Sequence, residues 1–277
     1  VEPARAGTLA DAGVNRVSLG VQSFVPEELA VLGRIHSPAQ AVRAFDALRH
    51  AGFDNLSIDL IYGTPGQTLE SWRRSLTQAI DLGVDHLSCY CLTLERSTPL
   101  WRRCRTGGLR EMDEGLAIDQ AQRAGLRQYE LSNFARPGRQ CRHNLTYWRN
   151  EAYVGIGPGA AGYLGGRRWV NRADLQAWAT TLLAGRTAPA RGERLTGRPL
   201  MAETIMLALR LKTGLDRRLF RDRFGSDVAE AFPHSLARHE AIGSLVVSPR
   251  RVRLARACYF TSNAVLADFV AEGADEG

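Results

Sequence analysis

Four side chains stand where a chain of βα units presents its chemistry: Gln22, Arg34, Asp59 and Glu95. Each lies at the end of a predicted strand or on the loop after it, and in a parallel array those ends converge on one face. An amide, a guanidinium and carboxylates gathered there suit a zwitterionic or nucleoside ligand. Asp59 is the sharpest of the four. It interrupts the apolar strand Ser57-Ile58-Asp59-Leu60-Ile61-Tyr62, where a charge is costly unless it is paired or binds something. The bland reading is a structural carboxylate that holds a loop amide.

Further along, His143-Asn144-Leu145-Thr146-Tyr147-Trp148 follows Cys141. A histidine and a cysteine beside tyrosine and tryptophan could ligate haem iron between aromatic walls. A loop histidine with satisfied hydrogen bonds is the alternative, and composition alone favours it. Gly155-Ile156-Gly157-Pro158-Gly159 lacks the lysine and the spacing of a phosphate loop, so it reads as a tight turn beneath that segment.

The elements that must position these groups follow a repeating pattern of helix, glycine turn, strand, loop. Strands are expected over 17–22, 57–62 and 86–93, with helices over 2–12, 26–32, 37–49 and 68–82. Ser37 and Thr68 read as N-caps, and Gly13 and Gly83 as stops. Alternating units of this length argue a parallel sheet. Three strands cannot close a barrel, so the expected fold is α/β, either an open sheet or part of a barrel. The strand at 17–22 would then sit at an unpaired edge. After Thr93 the rhythm changes: a helix over 111–124, a strand over 127–132, an irregular stretch over 133–148 and a helix over 174–184. Residues 1–185 read as one domain and 186–199 as a polar linker. Residues 200–277 read as a mostly helical, winged-helix-like domain with strands near 245–247 and 252–254. It is read as a packing domain rather than a nucleic-acid reader.

The chain has 277 residues, 44% of them hydrophobic, as in an ordinary globule. Its net charge is +7, with 36 lysines and arginines of which only Lys212 is lysine. The arginines are scattered, which argues against nucleic-acid binding and fits an anionic small molecule such as a nucleotide or a porphyrin carboxylate. Five widely spread cysteines form neither a disulfide framework nor a zinc pattern and suit a reducing cytoplasm. Cys89 and Cys91 share one face of a strand and are expected to pack as small apolar groups. The chain opens at Val1 within a predicted helix and reads as a fragment.

Five motifs then occur in one order: Gly20-Val21-Gln22-Ser23-Phe24, Leu32-Gly33-Arg34-Ile35-His36, Asp59-Leu60-Ile61-Tyr62-Gly63-x-Pro65-Gly66-Gln67-Thr68, Ser132-Asn133-Phe134-Ala135 and His143-Asn144-x-x-Tyr147-Trp148. Together they resemble the radical S-adenosylmethionine proteins related to oxygen-independent coproporphyrinogen III oxidase, and most closely that family's haem-chaperone branch. The resemblance implies the C-terminal half of a partial (βα)6 barrel, its last three units, followed by the helical C-terminal domain. It implies that Gln22, Arg34 and Asp59 contact S-adenosylmethionine and that His143 binds haem and is a candidate iron ligand. The family's CxxxCxxC cluster motif has no counterpart here, nor have the Gly-Gly loop and the Glu that follow the family's second and third strands. Ala161 stands where the resemblance leads one to expect a histidine. The 4Fe-4S cluster is therefore expected only in a full-length parent, no residue of this chain is assigned as catalytic, and the chain as given is expected to be inactive, because radical cleavage needs an iron site held by thiolates.

Two functions follow from the resemblance. One is a haem chaperone, with haem and haem-acceptor proteins as partners and a peripheral association with membranes. The other is a coproporphyrinogen oxidase that decarboxylates propionates to vinyls. The HNxxYW motif and the GVQSF strand favour the first.

Overall fold

The computed structural model describes residues 2–93, 114–186, 190–259 and 261–274. Glu95 and Cys104 lie outside them. The chain divides into two compact units, Val1–Gln140 and Cys141–Gly277.

The first unit is an α/β layer. Its elements are α1 (Pro3–Asp11), β1 (Val17–Gln22), α2 (Pro26–Val31), α3 (Pro38–His50), β2 (Leu56–Tyr62), α4 (Leu69–Asp81), β3 (His86–Cys91), α5 (Glu114–Arg123), β4 (Arg127–Gln128) and β5 (Asn133–Ala135). The helix starts follow from local chemistry. Ser37 and Thr68 each close a capping box, with Gln40 and Ser71 reaching back to the cap. The strands are ordered β1-β2-β3-β5-β4. The first three run parallel in register, and β5 joins β3 antiparallel. Among the described residues β1 pairs on one side only.

Register sorts the sheet into two unlike faces. Leu19, Ile58 and Leu87 pair across β1, β2 and β3, as do Leu60 and Cys89. They join Phe45 and Leu48 of α3 and Trp72 and Leu76 of α4 in the core. Burying each large aliphatic side chain contributes about 1.5–3 kcal/mol. The opposite face is polar. Ser18, Ser57 and His86 form one row; Gly20, Asp59, Ser88 and Asn133 form the next. Arg49 locks the layer at the other end of the strands, donating to Phe53 O, Gly83 O and Asp85 Oδ2.

The second unit holds α6 (Arg142–Trp148), β6 (Ala161–Leu164), β7 (Arg167–Asn171), α7 (Leu175–Leu183), β8 (Ala190–Arg194), α8 (Gly197–Ala208), β9 (Leu215–Asp216), α9 (Arg217–Phe224), α10 (Val228–Ala231), α11 (Pro233–Ala241), β10 (Leu245–Val247), β11 (Arg251–Leu254) and α12 (Ser262–Ala274). The expected hairpin is β10–β11, and β9 adds a third strand to it. Phe220, Phe232 and Phe269 fill the core beneath these helices. Buried Asp227 caps α10 and accepts from Arg217 and Arg221.

Two stretches differ from the sequence reading. Residues 133–148 are not irregular: they contain β5 and α6. Residues 190–194, inside the stretch read as a linker, form β8, which hydrogen-bonds to β7 in the antiparallel sheet β6-β7-β8. The hairpin β6–β7 turns on Gly165 and Gly166, both at positive φ, the two-glycine signal of a tight hairpin.

Candidate functional site

The C-terminal end of β1 is built to turn one amide. Gly20 pairs with Asp59, and Gln22 pairs with Leu60, so Val21 is an extra residue that bulges the strand. Gln22 then adopts φ 68, a left-handed conformation that few residues other than glycine accept. By register alone Gln22 belongs to the apolar face. The bulge and the left-handed turn re-aim it, and its Nε2 lies 2.7 Å from where a Cβ on Gly20 would stand. Its amide therefore covers Gly20 on the face that carries Asp59.

Asp59 is partly exposed. Ser18 Oγ, from the neighbouring strand, donates to its Oδ1 at 2.8 Å. No cation pairs with it among the described residues, and no loop amide holds it. Around Asp59 the polar face becomes drier towards β3. Ser88 and Asn133, its neighbours there, are buried, and on the opposite, apolar face burial pushes the Cys89 thiol well above its usual range, to which the Asp59 charge adds. Burial also raises Glu130, which accepts from Asn133 and from the Ser132 amide.

Arg34 lies on the loop between α2 and α3 and is exposed. Its backbone N–H bonds to Leu29 O, closing α2. Two residues on, His36 Nε2 lies 3.0 Å from Val21 O, so this loop is tied to the bulge. Gln22 and Asp59 thus share one face, and Arg34 stands on the loop anchored at the same strand end.

His143 is in the second unit, in the first turn of α6, with its ring exposed. Its edge meets Tyr147 at 4.7 Å, the i,i+4 neighbour on the helix. Tyr147 continues to Tyr153 at 4.5 Å. The exposed imidazole makes no hydrogen bond to protein among the described residues. Cys141 is not its companion ligand, because it is buried at the position preceding α6. Cys89 packs in the core as expected, whereas Cys91, past the helix cover, is exposed.

Comparison with known proteins decides the family. Residues 1–79 match the Radical SAM superfamily and residues 195–258 the HemN C-terminal domain. The heme chaperone HemW of Bacillus subtilis is 35% identical over 273 residues, covering 95% of this chain and 72% of the relative. The chain belongs to the HemW family. HemW of Mycobacterium tuberculosis is 43% identical over 216 residues, covering 75% of this chain. The chain spans 55% of that relative's length. In fold, it matches coproporphyrinogen III oxidase (HemN) from Escherichia coli with a TM-score of 0.79 at 21% identity, over 97% of this chain and 67% of that one. The partial radical SAM barrel and the HemN-type C-terminal domain expected from the motifs are thereby established. Among the described residues, no helix is long and apolar enough to cross a membrane.

Sequence reasoning missed the residue that joins two of this family's motifs. Glu28, 4% exposed, accepts from Ser23 Oγ at 2.6 Å, Gln67 Nε2 at 2.9 Å and Ser71 Oγ at 2.5 Å. Ser23 belongs to the GVQSF segment and Gln67 to the YGxPGQT segment. Gln67 Oε1 in turn accepts from the Gly63 amide at 2.8 Å. A buried carboxylate with three donors around it was the available signal. From sequence it looks like an ordinary acid in the first turn of α2.

Proposed function

We propose that this chain supplies the S-adenosylmethionine-facing wall and the haem-binding part of a haem chaperone, as the names of its relatives suggest. One observation carries the reading: the bulge turns the Gln22 amide over Gly20, whose cross-strand partner is Asp59. A carboxylate accepts from hydroxyl and ammonium groups, and an amide both donates and accepts, so the pair matches a nucleoside that ends in a zwitterion. The bare Gly20 leaves room for that amide. Arg34, exposed on the adjoining loop, adds a cation for the cofactor's carboxylate. When bound to an iron–sulfur cluster, S-adenosylmethionine is a source of radical chemistry.

The residues present do not fit the cluster itself. Among the described residues no group of three His, Cys, Asp or Glu side chains is placed to hold a metal, and Cys89 and Cys141 are buried. Binding and orientation of the cofactor are what these residues do. Haem, in this reading, meets His143, whose exposed ring is free to approach iron through either nitrogen. The oxidase reading has in its favour a likeness of fold to a solved oxidase 21% identical and the HemN C-terminal domain match.

Equilibrium dialysis with S-adenosylmethionine tests the wall. Asp59→Asn keeps the shape and the bond from Ser18, and should weaken binding about tenfold, the value of one charge-assisted hydrogen bond. Gly20→Ala should act in the same direction, because its Cβ displaces the Gln22 amide. Affinity unchanged in both variants would refute the assignment.

A further inference from the structure

The second unit contains a hollow of about 890 Å³ between β6–β7 and α7. That is near the upper end of what small-molecule sites enclose. Strand alternation places Leu164, Arg167 and Trp169 on one face of the sheet, and all three line the hollow. Trp178 and Leu182 of α7 line the other wall. The helix is apolar in sequence, yet none of its residues is buried. Leu164 is 56% exposed and Leu182 43%.

The floor is made for a flat body. A Cβ on Gly162 would collide with the indole of Trp169, and one on Gly192 would come within 3.0 Å of its Cβ. The indole thus lies across a bare position of β6, and β8 carries no side chain beside the base of the same tryptophan. Asn171 Nδ2 donates to Gly155 O and Gly157 O, which fixes the glycine turn at the rim. Among the described residues no acidic side chain lines the hollow, and Arg167 and Arg186 at its border are exposed. Neither makes an ion pair among the described residues. Two indole walls, aliphatic sides and two unpaired guanidinium groups complement a planar, apolar molecule with an anionic edge.

We infer that this hollow seats a porphyrin macrocycle, with its carboxylates on Arg167 and Arg186 and its ring between Trp169 and Trp178. The inference rests on the haem-handling reading and adds to it that the ring is gripped independently of the iron. It departs from a site made by His143 alone, since apolar burial and carboxylate pairing need no metal.

Titration with haem and with metal-free protoporphyrin IX, followed by tryptophan quenching and Soret absorbance, tests this. The wild-type chain is expected to bind both. Arg186→Glu and Leu182→Glu, both at exposed positions, should weaken both about tenfold, with the far-ultraviolet spectrum unchanged. His143→Ala should alter the haem Soret band but leave protoporphyrin binding intact. Wild-type affinity in both glutamate variants, with haem still bound, would overturn the seat while leaving the haem reading standing. So would loss of protoporphyrin binding in His143→Ala. A wild-type chain that binds neither porphyrin would overturn the haem reading itself. A hollow that instead takes the chain to phosphatidylglycerol vesicles, with no change on adding porphyrin, would overturn the seat.

Discussion

Glu28→Ala is expected to lower the stability of the first unit by about 3–5 kcal/mol, since three buried donors lose one acceptor and each stranded donor costs about 1–3 kcal/mol. The range sits at the low end of the simple sum, about 3–9 kcal/mol, because the Ser23 and Ser71 hydroxyls keep other partners. Ser23 Oγ lies 3.2 Å from Ser75 Oγ and accepts from the Val25 amide, and Ser71 Oγ also donates to Thr68 O. Gln67 has less to fall back on, with only a 3.4 Å contact to Ile61 O for its Nε2. Once it swings, Gly63 N loses its acceptor as well. Glu28→Gln keeps the volume but exchanges one acceptor oxygen for a donor, and should cost about half as much. Urea unfolding of both variants measures this. An alanine variant within 1 kcal/mol of wild type would show that the two loops do not depend on the carboxylate. Because these loops follow β1 and β2, the alanine variant should also loosen S-adenosylmethionine binding.

Acid should weaken the same unit through His86. Its ring is fully buried, with Nδ1 2.8 Å from Ser57 Oγ and Nε2 3.0 Å from Tyr129 OH. Both hydroxyls can donate or accept, so either neutral tautomer is satisfied, while a charged ring would be buried with no counter-ion. Burial, helped by the charge of Arg16, takes its pKa from 6.5 down to about 3. In the unfolded chain it titrates near 6.5, so below that pH the unfolded state holds a proton that the folded state lacks. The stability it contributes is complete above pH 6.5 and is lost progressively down to pH 3. From pH 7 to pH 5 the loss is about 2 kcal/mol, and it reaches about 4 kcal/mol by pH 3. Glu130 works the other way. Its raised pKa makes it a burden at neutral pH that protonation relieves, so it offsets part of the acid loss that His86 causes. His86→Leu should be less stable at pH 7, because it strands Ser57 and Tyr129, but its stability should change less from pH 7 to pH 5. Equal slopes in wild type and variant would exclude His86 as the source.

The parallel layer was legible because each of its boundaries has a local cause. Ser37 and Thr68 cap, Gly13 and Gly83 terminate at positive φ, and Pro3, Pro26 and Pro38 open helices. Asp59 was legible as a charge in an apolar strand. What escaped depended on distant partners. The strand Ala190–Arg194 is charged and glycine-bearing, and it reads as loop until β7 pairs with it. Helix α6 has no side-chain cap, and its HNLTYW sequence carries little helical preference. The left-handed backbone of Gln22 leaves no trace in a residue of that type. Gly162 acquires its purpose only when the Trp169 indole lies against it.

The bulge in β1 has a consequence for how this strand can vary. The orientation of Gln22 depends on a count, one surplus residue between Gly20 and Leu60's partner, and not on the chemistry of that surplus residue. Exchanging Val21 for another aliphatic would leave the amide where it is. Deleting it would regularise the ladder and turn Gln22 to the reverse side. Wherever the orientation of Gln22 is kept, this segment should therefore tolerate substitution while admitting neither insertion nor loss.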